Sequence, residues 1–396
     1  MANDNPFFLT RVECPICKTI NEFETVRMGA YVEEGRDTDF CPRGITWRYP
    51  RYQAHNPLVF FIAACSNCFY ARELNNSFKE WKNDNTYRTY RLKTIKGKHL
   101  DQLAQADSVL KKVGEAIDIQ RYPNESAILK LHLAVYNEQL TEHYSKLDVG
   151  RFYLRIGWVF RGLEQLSNPQ QSLRQGLVTD LDEHYRQLVD TARRMEDQVN
   201  RFTDQMASYF DRQDITSELK SRLVPFRDRF DEAITSVRDT TLQTVKGNGV
   251  LGELVAEYKT TALGGDGFQG GISFHDYPSF FEFLVYLKGE WSWAAASERE
   301  ALEKAVHYYK EAFTDGRDIA PGNQQIQASY LIAELSRRIG NYDEARQYFN
   351  STIKHGQEFV YRHRNDRSKV ALARKILELA VEQGKSSMAE AATATV

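Results

Sequence analysis

Cys14-Pro15-Ile16-Cys17 and Cys65-Ser66-Asn67-Cys68 are the two stretches on which the reading of this chain turns. In each, a gap of two residues lets both thiolates turn onto one tetrahedral ion about 2.3 Å away. Two such knuckles supply four sulfurs, close the coordination sphere and leave no place for water. That is the pattern of a structural zinc site, not a catalytic one. The expectation is therefore a structural Zn2+ held by Cys14, Cys17, Cys65 and Cys68. Some 47 residues separate Cys17 from Cys65, against roughly 15–20 in a simple ribbon, so the intervening chain must form structure of its own. Phe23–Met28 reads as one strand, and Leu58–Ala64 as a buried strand leading into the second knuckle. Between them Asp37-Thr38-Asp39-Phe40-Cys41-Pro42, Tyr49-Pro50 and Asn56-Pro57 predict a turn-rich loop.

Cys41 and His55 are the spare ligands. Cys41 reads first as a small buried hydrophobe, and otherwise as a further ligand or the resolving thiol of a redox pair. A thioredoxin-like role suits neither knuckle, because neither sits at the strand-to-helix junction of a βαβ unit. All five cysteines fall within the first 68 residues, which fits metal ligands in a reducing cytoplasm better than disulfides. The start of the chain has no basic region followed by a long apolar run, so a secretory signal is not expected. The longest apolar run, Leu58–Cys65, is far short of the ~20 residues of a spanning helix. Formal net charge is −2, so no global field draws the molecule to nucleic acid or anionic membrane. One stretch departs from this balance. Tyr87–His99 carries Arg88, Arg91, Lys93, Lys96 and Lys98 with no acid among them.

The order CPIC, then DTDFC, then NPLVFFIAACSNCFYA (Asn56–Ala71) resembles a bacterial family of unknown function, the 2225 series. Its members open with a CPxC knuckle, continue through D-x-D-F-C and Asn-Pro, and close with C-x-x-C-G-Y-A. The likeness is close over residues 12–75 and looser beyond, where YLRIGWVFR (Tyr153–Arg161) is similar to a recurring family segment. This chain places Lys18 and Phe69 where the family tends to place glycine after each knuckle. The resemblance implies a bacterial source, a metal-binding N-terminal half and a tetratricopeptide-like C-terminal half. It brings no activity with it.

From about Leu100 the apolar period becomes that of helices. Ile128, Leu131, Leu133, Val135 and Leu140 share one helix, and Phe152, Leu154, Ile156, Val159, Phe160 and Leu163 the next, with Leu147–Gly150 as the connection. Leu181, Tyr185, Leu188, Ala192, Met195, Val199, Phe202, Met206 and Tyr209 are spaced 4, 3, 4, 3 in a sustained heptad seam. A second run follows through Leu219, Leu223, Phe226, Phe230, Ile234 and Val237. The pair predicts a long antiparallel helical hairpin, coiled-coil-like, against the alternative of two ordinary bundle helices. Ala328–Lys354 resembles a tetratricopeptide unit: Ala333 in its first helix, a turn at Gly340-Asn341-Tyr342, and Ala345 and Phe349 in its second. Glu298–Phe313, with Ala305, Tyr309 and Ala312, looks like another second helix, and Val370–Val381 like a closing one.

The expected fold is α+β but mostly α: a zinc-stapled β module with a basic linker (1–98), a helical hairpin (99–168), a long hairpin arm (169–246), a Gly-rich connection (247–276), tetratricopeptide-like helices (277–385) and a flexible tail (386–396). Gly247-Asn-Gly249-Val-Leu-Gly252 and Gly265-Asp-Gly267-Phe-Gln-Gly270 spell the dinucleotide string without the strand that must precede it. The aromatic run Tyr277–Trp293 reads as core packing. Nothing assembles a nucleophile, a base and an oxyanion donor. The function expected is a non-enzymatic interaction or assembly scaffold with an unidentified protein partner or self-association through the arm, and no membrane insertion. Two alternatives stand beside it. One is a nucleic-acid-binding or regulatory protein using Arg48, Arg51, Tyr87, Arg88, Tyr90, Arg91 and Lys93. The other is a thiol redox sensor using Cys41.

Overall fold

Three short antiparallel hairpins make up the N-terminal β structure. β1 (Phe7–Glu13) pairs with β2 (Ile20–Val26), β3 (Tyr31–Glu33) with β4 (Ile45–Trp47), and β5 (Ile62–Ala64) with β6 (Ala71–Glu73). The computed structural model describes residues 5–167, 169–210, 212, 216–263 and 274–394. The strand expected at Phe23–Met28 runs instead from Ile20 to Val26, because pairing with β1 begins at the knuckle, where Glu13 faces Ile20. The strand expected at Leu58–Ala64 shrinks to β5. The Asn56 side chain accepts from the Leu58 amide and Pro57 opens a 3-10 turn over Pro57–Phe60, so the chain is coiled there before it extends.

Two-stranded sheets are marginal alone, and the apolar residues these bury from their own strands are few: Phe7, Val12, Trp47, Ile62, Ala63 and Ala71. Their core comes from the segment expected to be a basic linker. Tyr87–Arg91 forms a π-helical turn and Leu92–Ala104 forms α1, which bury Tyr87, Ile95 and His99. Tyr87 and Ile95 join Cys14, Cys65, Cys68, Tyr70, Phe78 and Trp81 in one apolar cluster. The linker is thus a wall of the module.

After α2 (Val109–Glu115), the helix α3 (Pro123–Gln139) is buried nearly all round, as an interior helix must be. Most of its buried polar groups find partners, Gln139 Nε2 being an exception. Lys130 Nζ donates to the Val59 carbonyl at 2.7 Å. His132 Nδ1 pairs with the Ile128 carbonyl, and its Nε2 accepts from the Ala295 amide at 2.9 Å. Burial pushes the His132 pKa down to about 4. The unfolded chain therefore takes up this proton first as pH falls. Stability is whole above pH ~6.5 and is lost between there and pH ~4. The loss expected by pH 5 is about 2 kcal/mol. A His132→Gln variant should show that much less pH dependence in urea unfolding between pH 7.5 and 5, and an unchanged slope would refute the assignment.

The residues Leu147–Gly150 lie within α4 (Lys146–Ser167), not in a connection. A Cβ on Gly150 would come within 3.3 Å of the Tyr309 backbone nitrogen, so this glycine serves helix approach and not a turn. In the same unit (Met1–Leu163 with Gly271–Val396) follow α7 (Phe280–Glu290), α8 (Glu298–Asp315), α9 (Asn323–Arg338), α10 (Tyr342–Arg362) and α11 (Arg367–Ala394). From α9 onward each packs on its predecessor. Ala301, Ala305, Ala312, Ala333, Ala345 and Ala380 are fully buried where helices meet. Gly340, at φ 86°, makes the turn between α9 and α10. The aromatic run is core in part: Phe283, Leu284 and Leu287 are buried and Trp291 packs on His132 and Tyr136, while Phe281 and Tyr286 face solvent. The tail expected from 386 is helix to Ala394. Ser387 is buried and Glu390 holds Arg337 at 2.7 Å, contacts that order a segment whose composition suggested fraying.

The second unit, Glu164–Gly270, contains α5 (Pro169–Phe210) and α6 (Ser217–Leu263). Phe202 stacks near Phe230, and Gly252 lies against the Tyr185 hydroxyl, so the two run antiparallel. The connection expected from 247 is helical as far as Leu263. Gly252 there has no room for a Cβ, which would meet the Tyr185 oxygen at 2.4 Å. A helical glycine costs only about 1 kcal/mol, and close packing offsets it. The string Gly265–Gly270 lies outside the described residues.

Candidate metal centre

Each knuckle is the turn of a hairpin, and the two turns are built alike. In the first, the Cys14 amide donates to the Thr19 carbonyl at 2.9 Å and the Lys18 amide to Cys14 at 3.1 Å. In the second, the Cys65 amide donates to Tyr70 and the Phe69 amide to Cys65, both at 2.9 Å. This turn needs a left-handed residue after the second cysteine. Lys18 and Phe69 adopt it without being glycine, at φ 66° and 60°, against a steric cost of about 1 kcal/mol each. Side-chain contacts offset that cost. Lys18 Nζ lies 4.3 Å over the Trp81 ring and 3.3 Å from Glu13. The Phe69 ring lies on the backbone of α2, where a Cβ on Gly114 would stand 2.1 Å from its Cγ. The family's glycine is replaced at 69 by a ring, and the space for it is a glycine at 114.

These turns bring together the four sulfurs expected to act as ligands. All lie within 4.8 Å of one another, with Cys14 Sγ 3.6 Å from Cys68 and Cys17 Sγ 3.5 Å from Cys65. Those separations suit the edges of a tetrahedron around an ion with bonds of ~2.3 Å, whose edge is about 3.8 Å. They are far beyond the ~2.05 Å of a disulfide. Cys14, Cys65 and Cys68 are buried and Cys17 is half-buried, so the set is closed to water on most sides. The thiols also pull on one another's protons. Hydrogen bonds from Cys14 and Cys68 hold Cys65 far below the usual thiol range, while the same contacts push Cys68 far above it and Cys14 up to about 12. A cation within the cluster is what would let all four ionise.

Neighbouring side chains fix the sulfurs. The Asn21 amide donates to Cys65 Sγ at 3.4 Å and to the Thr19 carbonyl at 3.1 Å, while its oxygen accepts from the Ser66 amide and hydroxyl. One residue of β2 thus braces the opposite knuckle. His99 on α1 is fully buried, with Nε2 donating to the Cys68 carbonyl at 2.7 Å and Nδ1 facing Asn137 of α3 at 2.9 Å. Burial lowers its pKa. Asn21→Ala and His99→Ala are each expected to weaken metal retention about 10- to 100-fold against a competing chelator. Retention unchanged in both would remove them from the site. Neither residue stood out in the sequence, although Tyr87, Arg91, Ile95 and His99 recur every four residues and mark the face α1 buries.

Cys41 is not brought to the cluster. It is buried beside the loop's own carboxylates, and burial pushes its thiol up to about 12. It is a thiol and not a thiolate at neutral pH, which leaves it a poor nucleophile. His55 lies in its loop against Tyr52, its Nδ1 buried without a partner. The D-x-D-F-C stretch instead forms a clamp. The fully buried Asp39 carboxylate receives two bonds from Arg161 of α4, at 3.2 and 2.8 Å. Arg161 also holds Glu298 at the start of α8, at 2.6 Å. Arg338 of α9 meets Asp37 at 2.9 Å, and Tyr330 donates to the Thr38 carbonyl at 2.8 Å.

The family model described as "Uncharacterized protein conserved in bacteria (DUF2225)" matches residues 7–223 and 282–374, and the chain belongs to that family. No curated protein and no solved structure gave a match.

Proposed function

From membership of that bacterial family and the geometry above, we propose that the protein is a non-enzymatic assembly scaffold, cytoplasmic, with a structural zinc ion and a tetratricopeptide-like array formed by α8 to α11. The proposed ligands are Cys14, Cys17, Cys65 and Cys68. A closed set of four sulfurs suits an ion that holds structure and has no open position for a substrate. Zinc is the ion such a donor set favours, and metal analysis of the purified chain should return one per molecule. No helix among the described residues is long and apolar enough to cross a membrane.

The observation that carries the scaffold reading is an uncovered heptad line. On α5, Ala192 is buried while Leu181, Leu188, Met195, Phe202 and Tyr209, seven residues apart, are 36–60% exposed. On α6, Leu219, Phe226, Phe230, Val237 and Leu251 are exposed too. Two facing helices that keep such stripes in water lack the partners that complete a bundle. A second copy supplies two helices of equal length and the same stripes, giving a coiled-coil-like four-helix bundle. Sedimentation equilibrium of the whole chain is expected to give a dimer, and the Met195→Glu/Phe202→Glu variant a monomer with its zinc retained. A monomeric wild type that also recovers no protein from its host would end this reading.

One observation keeps a second reading in play. Lys93, Lys96 and Lys98 of α1 and the neighbouring Tyr90 face solvent, whereas Tyr87 is buried and Arg91 is taken up by Glu138 at 2.6 Å. An exposed basic face with an aromatic side chain can engage phosphates. Nucleic-acid binding that falls steeply with salt would support that reading, and no binding at low salt would dispose of it.

A further inference from the structure

Between β6, the π-helical turn Leu74–Phe78, α3 and α4 lies a cleft of about 140 Å³ whose polar lining comes from Arg72, Glu73, Ser77, Glu138, Asp148 and Arg151. Most of these charges answer one another. Glu138 holds Arg91 at 2.6 Å, Asp148 holds Arg151 at 3.0 Å, and Glu73 stands 3.9 Å from Arg151. Arg72 feels the charges of Glu138 and Asp84, yet its hydrogen bonding is incomplete. Its guanidinium lies 4.2 Å over the Tyr87 ring, and its Nη1 is fully enclosed with no acceptor. A guanidinium is always charged, and buried charges are otherwise paired or hydrogen-bonded. A buried guanidinium that borders a cleft and has one nitrogen without an acceptor is the arrangement that a carboxylate ligand would complete.

The rest of the lining restricts what that anion is. Three carboxylates face two guanidiniums, so a multiply charged anion such as phosphate would be repelled. A ligand that fits brings one carboxylate to Arg72 and a cationic end to the carboxylates. The volume equals that of about five waters at ~30 Å³ each, which admits six or seven heavy atoms and little more. We propose that this cleft binds a small α-amino acid, its carboxylate on Arg72 and its ammonium group toward Asp148 and Glu73, with the Ser77 hydroxyl as a further donor. The cleft backs onto the metal centre, since Asn137 of α3 reaches both His99 and the Ala71 carbonyl beside Arg72.

Calorimetric titration of the full-length, metal-loaded chain tests this with glycine, L-alanine, L-serine, acetate, ethylammonium and inorganic phosphate. Saturable binding of at least one amino acid is expected, with acetate and ethylammonium each weaker by about tenfold or more, as loss of one charged contact implies. Arg72→Met should weaken the amino acid at least about tenfold with metal content and circular dichroism unchanged. Should that variant fail to fold, Ser77→Ala and Asp148→Asn replace it, each expected to weaken binding about fivefold. Absence of saturation by all three amino acids overturns the proposal and leaves the Arg72 charge to water. So does acetate or phosphate binding as tightly as glycine, or affinity unmoved by the substitutions.

Discussion

Replacing Cys65 by serine is expected to abolish metal binding and unfold the N-terminal module while the helices of the second unit stay folded. The three hairpins here have strands of seven residues or fewer, and the two knuckle turns are held by two backbone bonds each. Their apolar cluster counts Cys14, Cys65 and Cys68 among its members, so losing the proposed ion would disturb the centre of that core as well as its staple. Structural zinc contributes on the order of 10 kcal/mol to folding at neutral pH, as much as the whole net stability of a typical domain. Serine keeps the shape but binds an ion poorly, and the buried thiols of Cys14 and Cys68, both pushed above the usual range, lose the cation that would let them ionise. The measurement is limited proteolysis with metal analysis: cleavage should appear within residues 5–104, with metal content falling to near zero. A strong chelator should reproduce this on the wild type. Cys41→Ser is the control and should keep full metal content, because Cys41 lies outside the sulfur cluster. If Cys65→Ser retains metal and resists protease, four-sulfur ligation is wrong.

The cysteine knuckles were legible because their chemistry is local: two thiolates a fixed gap apart carry their meaning in four residues. The positive φ at Lys18 and Phe69 could be anticipated from the turn, since the family's glycines mark the same positions. Its compensation could not, because Gly114 is 45 positions from Phe69 in sequence and gives no sign of the ring that occupies its space. The D-x-D-F-C stretch read as a loop for the same reason. Its partners Arg161 and Arg338 come from two separate helices, and nothing in the spacing of the acids points to them. Where composition alone was read, it misled. Gly247–Gly252 is helical, with Tyr185 packed where a side chain at Gly252 would be, and residues 386–394 are helical with Arg337 bound to Glu390 and Ser387 in the core. The basic stretch 87–99 hid its pattern under five cations. Its buried face, a residue every four, was present but only three turns long, too short to stand out from a solvated helix.

The second large effect expected is from Arg161→Met, which should cost about 3–5 kcal/mol of stability. Asp39 is wholly buried, and Arg161 supplies both of its charge-assisted bonds from another element; the next cation, Arg338, is 3.9 Å away and already engaged with Asp37 and Glu334. Methionine matches the length of the arginine stem but leaves that carboxylate buried and unpaired, with Glu298 also released. Breaking a buried pair on one side is far more costly than removing both partners. The double variant Arg161→Met/Asp39→Asn should therefore recover much of the loss, giving a coupling energy of about 1–3 kcal/mol in a double-mutant cycle. Arg161→Lys should recover less, since one ammonium cannot present two parallel donors to Asp39 while reaching Glu298. Urea unfolding of wild type, Arg161→Met, Asp39→Asn, the double variant and Arg161→Lys, each with its metal content checked, measures this. Additive single effects, or a variant as stable as wild type, would mean that the clamp contributes little and that apolar contacts such as Phe40 on Tyr330, rings 5.6 Å apart, hold the loop to α9 instead.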